Sequence, residues 1–299
     1  MWRCTMAQLR RARAAQLPPP KLRHPCRCAP VAAACRLRPW LRPGYTLSLV
    51  LSCAVGAPAQ AEPAASPQSG PYVRLGAGVD WPEATDFRDA DCTSPNALFG
   101  CRTGNNGQPL GATGSFDPAL VVDGGLGYRF NRWIRAEALL SWRPDLDFSG
   151  QSNFLGRAGS NQPVSGSVSS VAGFGVAYVD LPKIGKVRPF LGAGLGVARN
   201  RIDSLNFQFP GISATSSTTT PGGSSSDLAY LLTAGISVPL SDRLDLDLAY
   251  RFTDLGSVTT GSGQAQVVRP GGPPFPFPIG GTSAALQTQG VVLSLRYAF

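Results

Sequence analysis

Past residue 61 the sequence contains no histidine; the single imidazole, His24, lies in the first part of the chain. That removes the commonest general base at neutral pH from the remainder. It disfavours the lipid-acting hydrolases that pair histidine with serine. Cysteine is nearly absent there too. Cys4, Cys26, Cys28, Cys35 and Cys53 precede residue 62, leaving Cys92 and Cys101. Acidic residues show the reverse bias, since all 18 Asp and Glu lie at or after Glu62. Ten of the 27 Lys and Arg fall before it, so the remainder carries 17 − 18 = −1, although the whole chain is +9. The basic balance belongs to the leader and predicts no nucleic-acid partner. A long hydrophobic run is also missing. Nothing after the leader reaches the ~18–20 apolar residues of a membrane helix.

The leader reads as a secretory signal. Tyr45 to Ala59 is small and apolar, Arg36, Arg38 and Arg42 form its basic flank, and Ala59-Gln60-Ala61 fits a cleavage site. Cleavage between Ala61 and Glu62 is expected. The reading divides the chain into a leader over 1–61, a short linker over 62–70 and a folded part over 71–299. The Arg/Pro/Cys-rich stretch before about Arg36 exceeds what a signal needs and reads as an over-called start or an unstructured extension. A lipoprotein with Cys53 acylated fits poorly, because Leu51 is unsuited and the preceding apolar run is short.

What the remainder has in abundance is period-2 alternation, the mark of strands with two unlike faces. At the C-terminus Val291, Leu293, Leu295, Tyr297 and Phe299 share one face. Seven earlier segments alternate likewise: Tyr72–Trp81, Ala119–Phe130, Trp133–Trp142, Ser167–Val179, Val187–Val197, Leu228–Leu240 and Leu244–Phe252. In the fourth segment the outward set is read as Val168, Ala172, Phe174, Val176 and Tyr178, with Gly173 and Gly175 inward. Long links alternate with tight ones at Asn131-Arg132, Asp180 to Lys186 and Ser241 to Arg243. In lipid only helices and closed barrels satisfy every backbone group. The pattern therefore predicts an all-β fold: an eight-stranded antiparallel up-and-down transmembrane β-barrel with four long extracellular loops and three short periplasmic turns. The long links, such as Ser213–Ser226 and Arg269–Pro278, are rich in Gly, Ser, Thr and Pro and are expected to be mobile.

Three runs carry a family resemblance. Pro189-Phe190-Leu191-Gly192-Ala193-Gly194-Leu195-Gly196, Tyr250-Arg251-Phe252-Thr253-Asp254-Leu255-Gly256 and the terminal Arg296-Tyr297-Ala298-Phe299 resemble the small outer-membrane barrels of the opacity-protein, surface-antigen and OmpA-transmembrane-domain type. The likeness spans roughly Pro71 to Phe299. It implies an outer-membrane surface protein, usually without a defined activity. The cysteine-bearing first loop and the Pro-rich last loop depart from the family pattern and weaken the transfer of any specific partner.

Several residues are candidates for function. The inward charges Arg74, Asp80, Asp123, Arg129, Arg135, Glu137, Arg188, Asp245, Asp247, Arg251 and Arg296 could line a pore, with Asp245 and Asp247 as an acid/base pair. The reading preferred is an ion-pair network, because an eight-stranded barrel is just wide enough for its own side chains. Gly192, Gly194 and Gly196 lack the spacing of a nucleotide loop and make room for neighbours. Cys92 and Cys101 are expected to form a disulfide after export. Glu83, Asp86, Asp89 and Asp91 do not match an EF-hand and read as solvated loop charge. Trp81, Trp133, Trp142, Tyr178, Phe130 and Tyr297 read as interfacial aromatics. Pro270 to Pro278 reads as a stiff loop tip before a polyproline ligand. Tyr297 and Phe299 form the expected assembly signal. No catalytic residue, cofactor or metal is expected. The expected partners are outer-membrane lipid and lipopolysaccharide, periplasmic chaperones, the barrel-assembly machinery and an unspecified extracellular ligand. The function expected is structural or surface-exposed, with a small-solute channel or a loop-based adhesin as alternatives.

Overall fold

The computed structural model describes residues 69–154 and 161–299; the expected cleavage at Ala61 and Glu62 lies outside them. Every regular element among the described residues is a strand. Eight long ones are β1 (Gly70–Pro82), β4 (Ala119–Arg129), β5 (Ile134–Ser152), β6 (Pro163–Asp180), β7 (Arg188–Gln208), β9 (Gly223–Pro239), β10 (Leu244–Thr259) and β13 (Thr282–Ala298). Five shorter ones lie in the long links: β2 (Thr85–Asp89), β3 (Ala112–Phe116), β8 (Ser217–Thr219), β11 (Gly263–Val268) and β12 (Phe275–Ile279).

The long strands pair antiparallel in the cyclic order β1, β4, β5, β6, β7, β9, β10, β13. The cycle closes where β13 pairs with β1, Val73 facing Tyr297 and Val79 facing Val291. The terminal run is thus held on both sides. The connections β4–β5, β6–β7 and β9–β10 are tight, with Asn131 Oδ1 accepting the N–H groups of Trp133 and Ile134 in the first.

The expected mobile links are instead built into the wall, which is a correction to the loop reading. The β2–β3 hairpin bridges the extended ends of β13 and β5. On the other side β8 pairs with β7 and with β11, and β11 with β12. Pro276 and Pro278 sit in β12, at the end of the strand order, where a strand can lack N–H donors without breaking a ladder. The wall therefore has two tiers, one beside the tight turns and one built by the long links.

Bulges mark the boundary between tiers. The register shifts between Arg143 and Leu146 on β5, between Gly166 and Val168 where β6 meets β7, and between Asp254 and Ser257 on β10. On β10 the bulge is carried by Gly256, whose φ of 77° favours glycine. Asp254 Oδ1 accepts its N–H, and Asp227 Oδ2 accepts both N–H and Oγ–H of Ser257. The Asp-x-Gly of the resemblance motif is this bulge. An odd insertion flips which residues face in. On β5 Arg135, Leu139 and Arg143 are buried before the bulge, and Leu146 and Phe148 after it.

Beside the turns, exposed side chains are apolar: Leu75, Leu126, Leu140, Leu195, Leu232 and Leu293 are examples. Beside the long links, the buried set is apolar, with Phe87, Phe99, Phe116, Phe148, Phe207 and Phe209 in one cluster. Phe148 meets Phe87 and Phe116 edge-on at ring separations of 5.0 and 5.2 Å. Among the described residues of that tier, only Ile212 is a large exposed hydrophobic.

One strand faces the opposite way from its sequence reading. On β6 Ala172, Phe174, Val176 and Tyr178 are buried, while Gly173, Gly175 and Ala177 are exposed. The cause is volume. A Cβ on Gly192 of β7 would run into the Tyr178 ring, and one on Gly194 into Val176. The inward glycines of β7 are the space that the large side chains of β6 fill. Tyr178 accordingly leaves the set of interfacial aromatics, whereas Trp81, Phe130, Trp133, Trp142 and Tyr297 are exposed as expected.

Candidate functional site

The charged residues of the turn-side tier meet across the ring, which places them on its enclosed face. Arg251 of β10 reaches Asp123 of β4 at 2.7 Å, and Ser141 donates to the same carboxylate at 2.7 Å. Arg135 of β5 pairs with Asp180 of β6 at 3.1 Å and lies 3.8 Å from Asp247 of β10. Its guanidinium sits over the Tyr178 ring at 4.2 Å and over Phe190 at 4.8 Å. Arg74 pairs with Glu137 at 2.9 Å, and the Tyr72 hydroxyl donates to Glu137 at 3.0 Å. Arg296 holds Asp245 at 2.9 Å and Asp247 at 3.0 Å, with Ser237 completing the cluster. Arg129 lies 3.9 Å from Asp180 and 3.8 Å from Asp245.

Two members of this set are absent from the sequence reading. Arg143, fully buried, donates to Asp80 at 2.6 Å, and Asp180 serves Arg135 and Arg129. Arg143 continues the odd-numbered inward positions of β5 one step past Trp142, a signal that was available. One expected member drops out. Arg188 is half-buried at the turn-side end of β7 and has no carboxylate within ion-pair distance among the described residues. With it removed, six arginines (74, 129, 135, 143, 251, 296) face six carboxylates (80, 123, 137, 180, 245, 247), so the set is neutral.

Neutrality and pairing decide the chemistry. Asp245 and Asp247 both lie on Arg296, so neither is a free base. A cavity lined by Arg74, Asp123, Tyr178 and Arg251 measures about 10 Å³, which is the space of about one water. Gly192, Gly194 and Gly196 hold no ligand cradle, because side chains packed over the first two and the β6 backbone beside Gly196 occupy that room.

The first long link is organised by its own polar groups. Cys92 and Cys101 are joined, their Cα atoms 5.3 Å apart. Asp89 accepts the N–H groups of Leu98 and Phe99, and its carboxyl is raised above the usual range by burial, against those hydrogen bonds. Asp91 accepts from Thr93, which holds its carboxyl below that range. Asp86 pairs with Arg88, and Glu83 accepts from Gln289. Among the described residues no three His, Cys, Asp or Glu converge on a metal position. In the last long link Arg269 lies over Phe275 at 4.7 Å. At the terminus Tyr297 and Phe299 are exposed, their rings edge-on at 5.4 Å, and the Phe299 N–H donates to the Pro71 carbonyl.

Comparison with known proteins covers most of the chain. Residues 47–299 match the model of the outer membrane protein beta-barrel domain. An uncharacterized protein of Brucella abortus (strain 2308) is 34% identical over 139 residues, 43% of this chain and 49% of that protein. The chain thus spans about half the length of the curated relatives it matches. Among solved structures, the outer membrane protein OprG from Pseudomonas aeruginosa aligns over 77% of this chain and 96% of its own, at 11% identity and a TM-score of 0.45. Neisserial surface protein A aligns over 77% and 98%, at 15% identity and a TM-score of 0.38.

Proposed function

Since the chain belongs to the outer-membrane protein beta-barrel family, we propose that it is an integral protein of the Gram-negative outer membrane. Its eight-strand ring spans the lipid, its long links face outward, and both ends of the mature chain face the periplasm. Its role is structural and surface-presenting: the ring anchors a rigid outer tier, performs no catalysis and conducts nothing.

The observation that carries this reading is the exchange of polarity between tiers. A continuous band of exposed Leu, Val and Trp is stable only against an apolar medium. On β5 the exposed apolar positions run from Ile134 to Trp142. At about 3.4 Å per residue this is ~27 Å along the strand, or ~21 Å of height at a tilt of ~40°, near the ~25 Å apolar band of such proteins. The exposed aromatics Trp81 and Trp142 fall at one edge and Phe130, Trp133 and Tyr297 at the other. Closure is supported by the neutral ion-pair set and the ~10 Å³ cavity. Lipopolysaccharide, periplasmic chaperones and the assembly machinery are the partners this reading entails. Tyr297 and Phe299 at the terminal strand are the residues proposed for recognition by that machinery.

Planar-bilayer recording of the refolded protein tests the reading. No stable current steps are expected; reproducible single-channel steps would establish a solute channel instead. Trypsin applied to intact cells should cut after Arg102, which is exposed in the first long link and followed by Thr103. Cleavage only after the outer membrane is opened would reverse the orientation.

A further inference from the structure

The outer face of β6 and β7 carries two features that packing inside the chain does not account for. The first is an apolar groove of about 860 Å³, its floor including Ala138, Gly175, Ala177 and Ala193 and its walls Tyr128 and Tyr230. These floor residues are exposed, as is Gly173 on the same strand. A Cβ on Gly173 would meet nothing within 4 Å, and one on Gly175 would meet only the Leu195 carbonyl at 3.9 Å. The inward glycines are small because neighbours fill their space; these two leave space outside the chain.

The second feature is a pair of arginines. Arg199 and Arg201 are exposed on β7, two and four residues beyond Val197, the last exposed apolar residue of that strand. Arg199 has no ion pair or hydrogen bond among the described residues. Arg201 has only Asp203, at 3.7 Å between two largely exposed side chains. In register, Ser226 and Ser224 of β9 flank them. Other strands present acids just beyond the apolar band, namely Glu83, Asp145, Asp147 and Asp254. Arg88 of β2, exposed on the opposite part of the wall, is already paired with Asp86. The arginines line a pocket of about 310 Å³ with Asp203, Gly222, Gly223 and Ser224, two guanidinium groups against one carboxylate. A Cβ on Gly222 would run into the Asp203 carbonyl, so glycine lets the chain pass close and wall the pocket.

We infer that this face binds one phosphorylated acyl lipid of the outer leaflet, its phosphate on Arg199 and Arg201 and an acyl chain in the groove. Guanidinium suits phosphate because its planar fork donates two parallel hydrogen bonds. Leu195 borders the groove four residues below Arg199, about 13 Å along the strand. That matches an acyl chain descending through one leaflet, half of the ~30 Å hydrocarbon core. The inference rests on the proposed orientation with the long links outside.

The test is native mass spectrometry of the protein recovered from outer membranes, titrated with diphosphoryl lipid A and with its phosphate-free counterpart. Heat-modifiable mobility reports the fold of each variant. R199Q/R201Q should weaken diphosphoryl binding about 25-fold, roughly fivefold per arginine, and leave the phosphate-free lipid unchanged. G173L/G175L should weaken both lipids. Undiminished diphosphoryl binding in R199Q/R201Q overturns the inference, as does equal loss of both lipids. Displacement by millimolar inorganic phosphate alone marks a free-anion site and overturns the lipid assignment. A change of oligomeric state in G173L/G175L without lost lipid makes the occupant a second copy and also overturns it. K183Q/K186Q, at the turn-side rim, should bind as wild type. Loss there together with retention in R199Q/R201Q would mean the orientation itself is reversed.

Discussion

Up to Arg143, β5 buries guanidinium and carboxylate and exposes Leu140 and Trp142; from Asp145 onward it buries Leu146 and Phe148 and exposes Asp145, Asp147 and Ser149. The same strand thus solves two opposite problems. Beside the turns the outside is apolar, so polar groups go inside, where each must find a partner. Beside the long links the outside is water, and burial of rings is the driving force. The bulges are the joint that lets one wall do both, since each shifts the inward phase by one residue. A fold that inverts its polarity along its strands needs stability from different sources at its two ends, and the two tiers should fail differently.

The largest effect is expected where a buried charge loses its partner. Arg143→Met leaves Asp80 with only the long Thr288 hydrogen bond. It should cost about 3–5 kcal/mol, read as a lower urea midpoint for loss of heat-modifiable mobility, and adding Asp80→Asn should recover part of it. Unchanged stability would show that the ion pairs contribute nothing net. Next comes Phe148→Ala, which removes a ring packed on two others and should cost about 3 kcal/mol. Its signature is faster proteolysis of the long-link tier while the ring keeps its mobility on gels. If both tiers melt together, the comparison between them collapses. A charge on the outer face sharpens the boundary: Leu195→Lys should cost about 2–4 kcal/mol in lipid. Ser165→Lys, on the exposed face of the other tier, should change stability by less than about 0.5 kcal/mol. Equal costs at both positions would place the boundary elsewhere. The most localised effect belongs to C92S/C101S. Opening this short covalent loop should cost about 2–3 kcal/mol, confined to the first long link and seen as local hydrogen exchange around Phe99 and Phe87.

The turn-side tier was legible in the sequence because its apolar face is continuous and its polar face is rich in Gly, Arg and Asp. All eight long strands of the ring were found from alternation. The long-link tier was not legible as strands. Past Trp142 and Val197 the outward face turns polar and the apolar set moves inward; on β5 the bulge shifts the phase at once, and on β7 it does so between Ile202 and Leu205. A period-2 search then sees the pattern end, and Arg143–Ser152 and Ala198–Gln208 read as loop. The same truncation hid Arg143. Asp180 was hidden because the fourth strand was stopped at Val179, and its facing was inverted by taking large apolar residues as lipid-facing. Alternation by itself cannot tell which face is inside. That depends on the volume left by Gly192 and Gly194 on the neighbouring strand, in register with Tyr178 and Val176. Among the charges, Arg188 shows the limit of parity as a guide: it lies in the inward phase, but at the open end of the ring no carboxylate of the described residues reaches it.

The central claim is that the lipid ends where the outward face of the wall turns from apolar to polar, which on β7 falls between Val197 and Arg199. Spin labels placed one at a time at 193, 195, 197, 199 and 201 on the outer face of β7, in proteoliposomes, test it directly. Collision with oxygen should dominate through 197, and collision with a water-soluble nickel chelate should dominate from 199 onward. Chelate accessibility at 195, or oxygen dominance persisting at 201, would contradict the account.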